Sequence, residues 1–383
     1  MDEKLKTAVR MPEFQRIFIL SRMFPNKLGG GNLHLEFLRA NIKRRYNVEI
    51  FESLPRVNRT QSLTFIRKLI VHLLGFTSGI LDLEAKDTDL LLVSTPYPKD
   101  LLPAILYRIQ SQMPWVLYLH HWTPSFIYHP IKRGVIRVIY LSVYFYVFFL
   151  IVVLVMRIPL IVGYIPRSSL LSRQSMQHFD VIPKSFRNAL DSYANVMNKY
   201  RFHLAYIGGM SRHKGTFDFL FLINQLKRNN PEIKGYLGGF STDKNMKKIK
   251  RMLQKLNLTE HVTVAGFITE EEKVEILSAS MVFAHLSYEE GRSLGVMEAA
   301  YAAKPLLLYE LPAYWYLQGN YFSAKPGKIT DLVSKCHFIF EHYDIALNLA
   351  KAAKKCVELF NDDYVIDNEI QILETAFKST KRK

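Results

Sequence analysis

Short apolar stretches alternate with longer stretches of helical periodicity along the chain. In the amino-terminal half, apolar runs predict buried strands at residues 16–20, 47–51, 90–94, 115–119 and 159–165. Helical patterns lie between them, within residues 33–46, 60–84, 98–112 and 167–178. The carboxyl-terminal half repeats the pattern, with strands at 205–209, 235–240, 262–267, 281–286 and 306–311, and helices at 244–256, 270–278, from 294, and at 361–378. This alternation is typical of α/β proteins with parallel, Rossmann-like sheets.

Length and composition fit two such domains. With 383 residues, 49% of them apolar, the chain can bury two cores and does not belong to the disordered class. Two cysteines, Cys336 and Cys356, are too few for a metal cluster and indicate a reduced cytoplasmic environment. The first apolar run is too short for a signal peptide. A formal net charge of +17 indicates anionic partners, whether phospholipid, nucleotide phosphate or nucleic acid.

Residues 138–156 form an uncharged apolar run flanked by Arg137 and Arg157. Its length approaches the ~20 apolar residues that a membrane-spanning helix needs. Basic residues on both flanks give no orientation across a bilayer. We expect a helix over about residues 135–157 that lies in the membrane interface. A buried core helix and a true span are the alternatives.

The stretch from Tyr288 to Pro305 carries the most specific chemistry. Seven residues separate Glu290 from Glu298, and a glycine-containing turn leads from an apolar strand into a helix that starts near Leu294. Free backbone N–H groups at such a helix start bind phosphate. Eight helical residues rise roughly 12 Å, which places Glu298 about two turns into the helix. Two carboxylates with an anion site between them suit a nucleotide sugar, and a solvated helix face is the plain alternative.

This stretch resembles the E-x7-E signature of family-4 retaining glycosyltransferases, which have the GT-B fold. Other segments resemble the same family: the glycine loop at residues 29–31, the HHWTP segment that begins at His120, the GGMSRHKG loop at 208–215, the GYLGGF turn, and the VTVAGF strand with Gly266. The resemblance covers nearly the whole chain and is most specific over residues 200–306.

The chain departs from the family pattern at three places. Gly209 stands where the family has an arginine that grips the donor diphosphate, although Arg212 lies in the same loop. His121 replaces the aspartate of the His-Asp-x-x-Pro pattern. In the linker, Lys184 and the serine after it replace an Asn-Gly pair. The Gly209 change bears on the strength or identity of donor binding.

The resemblance implies an α/β protein of GT-B type, with two Rossmann-like domains whose parallel sheets face a central cleft. Residues 1–195 would form an acceptor-side domain that includes the apolar helix. Residues 196–365 would bind the nucleotide sugar. Residues 366–383 would return to the first domain as a terminal helix and end in a basic tail, which we expect to be disordered.

The family's site residues carry over to matching positions. His120 and Glu290 would contact the donor sugar, Lys214 with Arg212 would offset diphosphate charge, and Glu298 would accept hydrogen bonds from the ribose. With His120, Lys214 and Glu290 as catalytic residues, the expected donor-binding set is Gly30, Gly31, Gly208, Arg212, Gly266, Gly291, Arg292, Ser293, Leu294 and Glu298. The family requires no metal, so no cofactor is expected beyond the nucleotide-sugar co-substrate.

The expected partners are a nucleotide-diphosphate sugar, a glycan or lipid-linked acceptor, and an anionic membrane surface. The protein would then be cytoplasmic and peripheral or monotopic at the membrane. The basic helix at residues 244–256 faces either solvent or lipid, and a solvated face is the simpler interpretation. Nucleic acid is not expected, because no recognition module is evident and the basic residues are scattered. A catalytically inactive GT-B-like, membrane-associated subunit is the alternative function.

Overall fold

The chain folds into two compact units. The computed structural model describes residues 11–20, 30–52, 86–94, 113–119, 156–162, 175–177, 181–193, 200–291 and 293–381, together with residues 101, 104, 105, 108, 149, 153 and 154. The first unit holds the described residues up to 119, those between 149 and 177, and those from Asp362 onward. The second unit holds Val181–Asn361.

The first unit is built on a parallel sheet. Its described strands are β1 (Arg16–Leu20), β2 (Glu49–Glu52), β3 (Asp89–Val93), β4 (Trp115–Leu119), β5 (Leu160–Val162) and β6 (Ser175–Gln177), and helix α1 (Gly30–Tyr46) follows β1. The strand order is β2-β1-β3-β4-β5-β6, with every neighbouring pair parallel. Strands β3 and β4 are buried at every position, as expected for parallel strands covered on both faces.

The carboxyl-terminal helix α9 (Asp362–Thr380) completes the core of this unit. Its apolar face contributes Ile370, Leu373 and Phe377 to the cluster that β1, β3 and β4 form. At the end of the helix, the Thr380 hydroxyl accepts a hydrogen bond from the Trp115 backbone N–H at 3.2 Å. The helix is therefore fixed at the start of a central strand as well as along its apolar face.

The second unit repeats the architecture. Its strands are β7 (Phe202–Ile207), β8 (Gly235–Gly238), β9 (Val262–Val264), β10 (Ser280–His285), β11 (Leu306–Tyr309) and β12 (Phe322–Ala324). Its helices are α2 (Lys184–Tyr193), α3 (Thr216–Leu226), α4 (Asp243–Lys255), α5 (Glu270–Ser278), α6 (Leu294–Tyr301), α7 (Ile329–Glu341) and α8 (Tyr343–Glu358), with a 3-10 helix at Pro312–Leu317. The parallel order is β12-β11-β10-β7-β8-β9.

The structure corrects the predicted helix at 167–178. Residues 175–177 form strand β6, which pairs in parallel with β5 at the edge of the first sheet. The neighbouring strand supplies backbone partners that local helix propensity does not anticipate. Helix α2 lies in the second unit, whereas the sequence analysis assigns residues 1–195 to the first domain. Its buried Phe186 lies in the second unit, with its ring centroid 5.4 Å from Lys273 Nζ.

Two segments that the sequence predicts to be irregular are helical. Helix α1 begins at Gly30, so Gly30 and Gly31 are its first two residues rather than part of a loop. Glycine is tolerated there because the first-turn N–H groups have no intrahelical partner in any case. The tail predicted to be disordered from Lys378 remains helical as far as Thr380. Packing of Phe377 and the Thr380 hydrogen bond extend the helix beyond its sequence pattern.

No helix in the described parts of the chain is both long and apolar enough to cross a bilayer. The apolar run at 138–156 falls almost entirely outside those parts, as does the predicted helical region at 60–84.

Candidate functional site

The strand order of the second sheet identifies where a ligand would bind. The chain runs outward from β7 to β8 and β9 on one side, and from β10 to β11 and β12 on the other. Strands β7 and β10 are therefore neighbours at the point where the winding reverses. In open parallel sheets, ligands bind beyond the carboxyl ends of the strands at this position. The loops that follow β7 and β10 carry Lys214 and Glu290.

Glycines bring the backbones of three neighbouring strand ends close together. The Gly208 N–H donates to Gly238 O at 2.9 Å, and the Gly239 N–H donates to Gly266 O at 2.8 Å. Gly239 has a φ of +126°, and a Cβ there would lie 2.1 Å from Gly208 O. A side chain at this position would push the turns apart. Gly208 and Gly266, both predicted to bind the donor, thus lie in one layer of turns at the sheet edge.

Lys214 and Glu290 form an ion pair at the switch point. Lys214 Nζ donates to Glu290 Oε1 at 2.8 Å, and His285 Nε2 lies 2.8 Å from the same oxygen. The Glu290 side chain is only 3% exposed. Burial by itself raises the pKa of Glu290, but Lys214 and His285 outweigh burial and hold that pKa well below its usual range. Glu290 is therefore a carboxylate at neutral pH, with a lysine ammonium fixed beside it.

His285 joins this ion pair to the start of helix α6. It is the last residue of β10, and its ring stacks against Tyr206 with 5.9 Å between centroids. Its Nε2 also lies 3.3 Å from the Ser293 hydroxyl, while its buried Nδ1 has no hydrogen-bond partner among the described residues. Ser293 is the N-cap residue of α6. The imidazole thus positions both the Glu290 carboxylate and the turn that leads into the helix.

The N-terminus of α6 lacks a side-chain cap. No cap hydrogen bond from Ser293 and no acidic residue in the first turn occur in the described part of this segment. Helix starts in this condition attract anions, because their N–H groups are unpaired and the helix dipole is positive there. Gly291, Ser293 and Leu294 surround this helix start. Lys214 and the α6 N-terminus therefore supply positive charge at the edge of one sheet.

Glu298 forms a separate salt bridge, with Lys273. Lys273 of α5 donates to both Glu298 oxygens, at 2.9 and 3.0 Å, and to both oxygens of Glu270 at 3.0 Å. Burial raises the pKa of Glu298 to about 7, while Lys273 opposes the rise and Glu270 adds to it. Burial lowers the pKa of Lys273, but the two carboxylates outweigh burial, so that the pKa is raised overall. Glu298 thus titrates close to neutrality beside a stable ammonium group.

The position of Glu298 along its helix corrects the sequence prediction. Helix α6 begins at Leu294, so Glu298 lies only four residues into it. At ~1.5 Å per residue this is about 6 Å, or roughly one turn rather than two. The reason is that Glu290, Gly291 and Ser293 precede the helix and add no helical rise. The two carboxylates nevertheless belong to one strand-turn-helix segment.

The predicted site residues fall into four groups. The structure brings together Lys214, Glu290, Ser293 and the start of α6, and places Gly208 and Gly266 in the adjoining turns. Arg212 lies exposed in the Lys214 loop. Gly30 and Gly31 begin α1 after β1, the strand at the reversal point of the first sheet. His120 and Arg292 lie outside the described residues.

Sequence reasoning missed two residues of the site, His285 and Lys273. His285 lies near the carboxyl end of the apolar run MVFAHL. Because ligands bind beyond the carboxyl ends of parallel strands, a polar side chain at this position could have indicated the site. Lys273 gave a weaker signal, because its spacing of three from Glu270 is common on helix surfaces. In the described residues, no group of three or more His, Cys, Asp or Glu side chains has an arrangement that could hold a metal ion.

Comparison with known proteins relates the second unit to a family model. Residues 192–356 match the family model described as glycosyl transferases group 1. This region therefore resembles the glycosyl transferases group 1 family. The match spans β7 to α8 and so contains Lys214, Glu290, Glu298, His285 and the turns around them. No curated protein sequence matches the chain.

Solved structures resemble the whole chain. Sucrose-phosphate synthase from Thermosynechococcus elongatus is 17% identical, with a TM-score of 0.71 over 97% of this chain and 100% of that one. HepE from Anabaena is 16% identical, with a TM-score of 0.67 over 94% of this chain and 100% of that one. TarM from S. aureus is 13% identical, with a TM-score of 0.55 over 78% of this chain and 58% of that one. The chain has the GT-B fold with two parallel sheets, as predicted.

Proposed function

We propose that the chain is a retaining glycosyltransferase that moves a sugar from a nucleotide-diphosphate donor to a glycan or lipid-linked acceptor. The observation that carries this proposal is the Lys214–Glu290 ion pair at the switch point of a glycosyl transferases group 1 region. A buried carboxylate, a lysine and an uncapped helix start provide acceptors for sugar hydroxyls and donors for phosphate oxygens.

In this proposal the donor diphosphate lies between Lys214 and the N-terminus of α6. Charge develops on the diphosphate as the bond to the sugar breaks, and a fixed ammonium stabilises it. Gly209 replaces the family arginine, and a Cβ built there meets no atom within 4 Å. That open space leaves room for the exposed Arg212 side chain of the same loop to assist Lys214. No metal takes part.

Glu290 and Glu298 have separate roles. Glu290 orients the donor sugar, while Lys214 and His285 keep it ionised and fixed. Glu298 accepts hydrogen bonds from the ribose, and Lys273 keeps its carboxylate in place when the site is empty. His120, which the resemblance assigns to the donor sugar, remains part of the proposal. HepE has been solved in complex with UDP-glucose and TarM with UDP, so UDP is the nucleotide that we test first.

The test measures release of UDP from UDP-sugars in the presence of candidate acceptors, namely simple glycans and a lipid extract. Wild-type protein is compared with Lys214→Met and with the matched control Lys234→Met. Lys234 immediately precedes β8, and its Nζ bonds only the Glu260 carbonyl at 2.8 Å among the described residues.

We expect Lys214→Met to lower the rate roughly 100-fold or more, since one electrostatic donor contributes about 3 kcal/mol to a transition state. Lys234→Met should leave the rate unchanged. Nucleotide binding by the wild type without turnover of any sugar donor would instead favour the inactive-subunit function.

A further inference from the structure

Helix α4 carries a dense basic surface outside the site described above. Six of its residues are basic, against the single acidic residue Asp243. All six are exposed, and none forms a salt bridge within the described residues. These residues, the α4 basic face, are Lys244, Lys247, Lys248, Lys250, Arg251 and Lys255. The proposed sugar transfer gives them no role.

The basic residues lie directly opposite the core-facing side of the helix. Ile249 and Leu253 are buried in the second unit's core, and the methionines of the helix pack around them. Lys244, Lys248 and Arg251 are spaced by four and three residues, so they share one face. Because the apolar side is already covered by protein, the helix presents positive charge to solvent without an apolar stripe of its own.

Two exposed phenylalanines adjoin this helix. Phe240 and Phe267 are each 66% exposed, the highest exposure of any large apolar side chain among the described residues. Phe240 lies two residues before the N-cap Thr242 of α4. Each phenylalanine follows a glycine of the hydrogen-bonded pair Gly239 and Gly266, so the two aromatic residues project from adjoining turns.

We propose that the α4 basic face, with Phe240 and Phe267, docks on an anionic phospholipid surface. Clustered lysines and arginines attract anionic headgroups, and exposed aromatic side chains enter the interfacial region of a bilayer. Single-stranded nucleic acid, whose bases stack on exposed aromatic rings beside basic residues, is the competing ligand that the experiment must exclude. This inference does not depend on which sugar, if any, the protein transfers.

The size of the effect follows from the number of cations. Each lysine or arginine near an anionic surface contributes about fivefold to the binding constant. Replacing Lys244, Lys248, Arg251 and Lys255 with glutamine should therefore lower the vesicle-binding constant by about 600-fold, or nearly three orders of magnitude. The four side chains are exposed and form no salt bridge among the described residues, so the variant should fold normally.

The test is co-sedimentation of the full chain with phosphatidylcholine vesicles that contain about 30% phosphatidylglycerol, compared with phosphatidylcholine alone. A matched control replaces Lys325, Lys328, Lys335 and Lys351, which are exposed on other elements of the second unit, with glutamine. This control removes the same net charge. We expect it to retain at least a third of the wild-type binding constant at moderate salt.

The double variant Phe240→Ser and Phe267→Ser tests the apolar contribution. It should bind vesicles at least tenfold more weakly while keeping the same salt dependence, because its charge is unchanged. Equal losses in the α4 variant and its control would overturn the proposal, since net charge alone would then explain binding. Stronger retention on a single-stranded oligonucleotide than on anionic vesicles at physiological salt would also overturn it. Loss of UDP affinity without loss of vesicle binding in the phenylalanine variant would overturn it as well.

Discussion

Replacing Glu298 with glutamine should change how the stability of the second unit depends on pH. Glutamine keeps the size of the side chain and a carbonyl oxygen for Lys273, but it has no titrating proton. Burial raises the pKa of Glu298 from 4.5 to about 7, with Glu270 adding to the rise and Lys273 opposing it. The folded state therefore holds a proton on Glu298 over a pH range in which the unfolded chain has lost it.

The sign and size of the pH effect on stability follow from this difference in pKa between the folded and unfolded states. A carboxyl group whose pKa is higher in the folded state stabilises the fold fully below pH 4.5, and this contribution is lost as the pH rises through about 7. At about 1.4 kcal/mol for each pH unit, the loss is about 3 kcal/mol. The wild type should thus lose about 3 kcal/mol relative to Glu298→Gln between pH 4 and pH 8.

Hydrogen exchange of the β10 amides measures this difference, because those amides exchange only when the second unit opens. The free energy of opening is determined at several pH values for the wild type, Glu298→Gln and the surface control Glu232→Gln. Glu232 is exposed and forms no salt bridge within the described residues. Its variant should differ from the wild type by about 0.5 kcal/mol or less. A gap between wild type and Glu298→Gln that stays constant with pH would refute the reasoning.

Three further substitutions have defined outcomes. Gly215→Ala should destabilise the second unit by about 3 kcal/mol or more in urea unfolding. Gly215 has a φ of +76°, and a Cβ there would lie 1.7 Å from the Leu286 carbonyl oxygen. Asp89→Asn should lower the stability of the first unit by about 3 kcal/mol, because Asp89 is fully buried and accepts two hydrogen bonds of 2.6 Å from Arg16. Near-wild-type urea midpoints would contradict either statement. His285→Leu should slow donor turnover at least tenfold with less than a threefold change in nucleotide affinity, and equal losses in both would argue against a positioning role.

Much of the architecture was predictable because parallel strands leave clear patterns. Continuous apolar runs located the strands Arg16–Leu20 and Trp115–Leu119, and the helix predicted at residues 270–278 matches Glu270–Ser278. The Glu290 turn was predictable too, since a glycine-containing segment joins a buried strand to a helix. These features depend on residues that are close together in the chain, so the sequence alone is enough to predict them.

The remaining features depend on residues far apart in the chain. Strand β6 forms because β5 lies beside it, and nothing within residues 175–177 indicates that partner. Lys273 and Glu298 are 25 residues apart and meet only because α5 and α6 pack in the same unit. The role of His285 likewise needs the fold, since its ring bonds a carboxylate in the following loop and stacks on Tyr206 in the neighbouring strand.

The central claim is that the second unit binds a nucleotide-diphosphate sugar with Glu298 on the ribose. Isothermal titration of the full chain with UDP, GDP and ADP tests it most directly, using the wild type, Glu298→Ala and the control Glu232→Ala. We expect the wild type and the control to bind one of these nucleotides. Glu298→Ala should bind it about 10- to 100-fold more weakly, since a hydrogen bond to a charged group contributes about 1.5–3 kcal/mol. Folded wild-type protein that binds none of the three, or a Glu298→Ala variant that binds as tightly as the wild type, would contradict it.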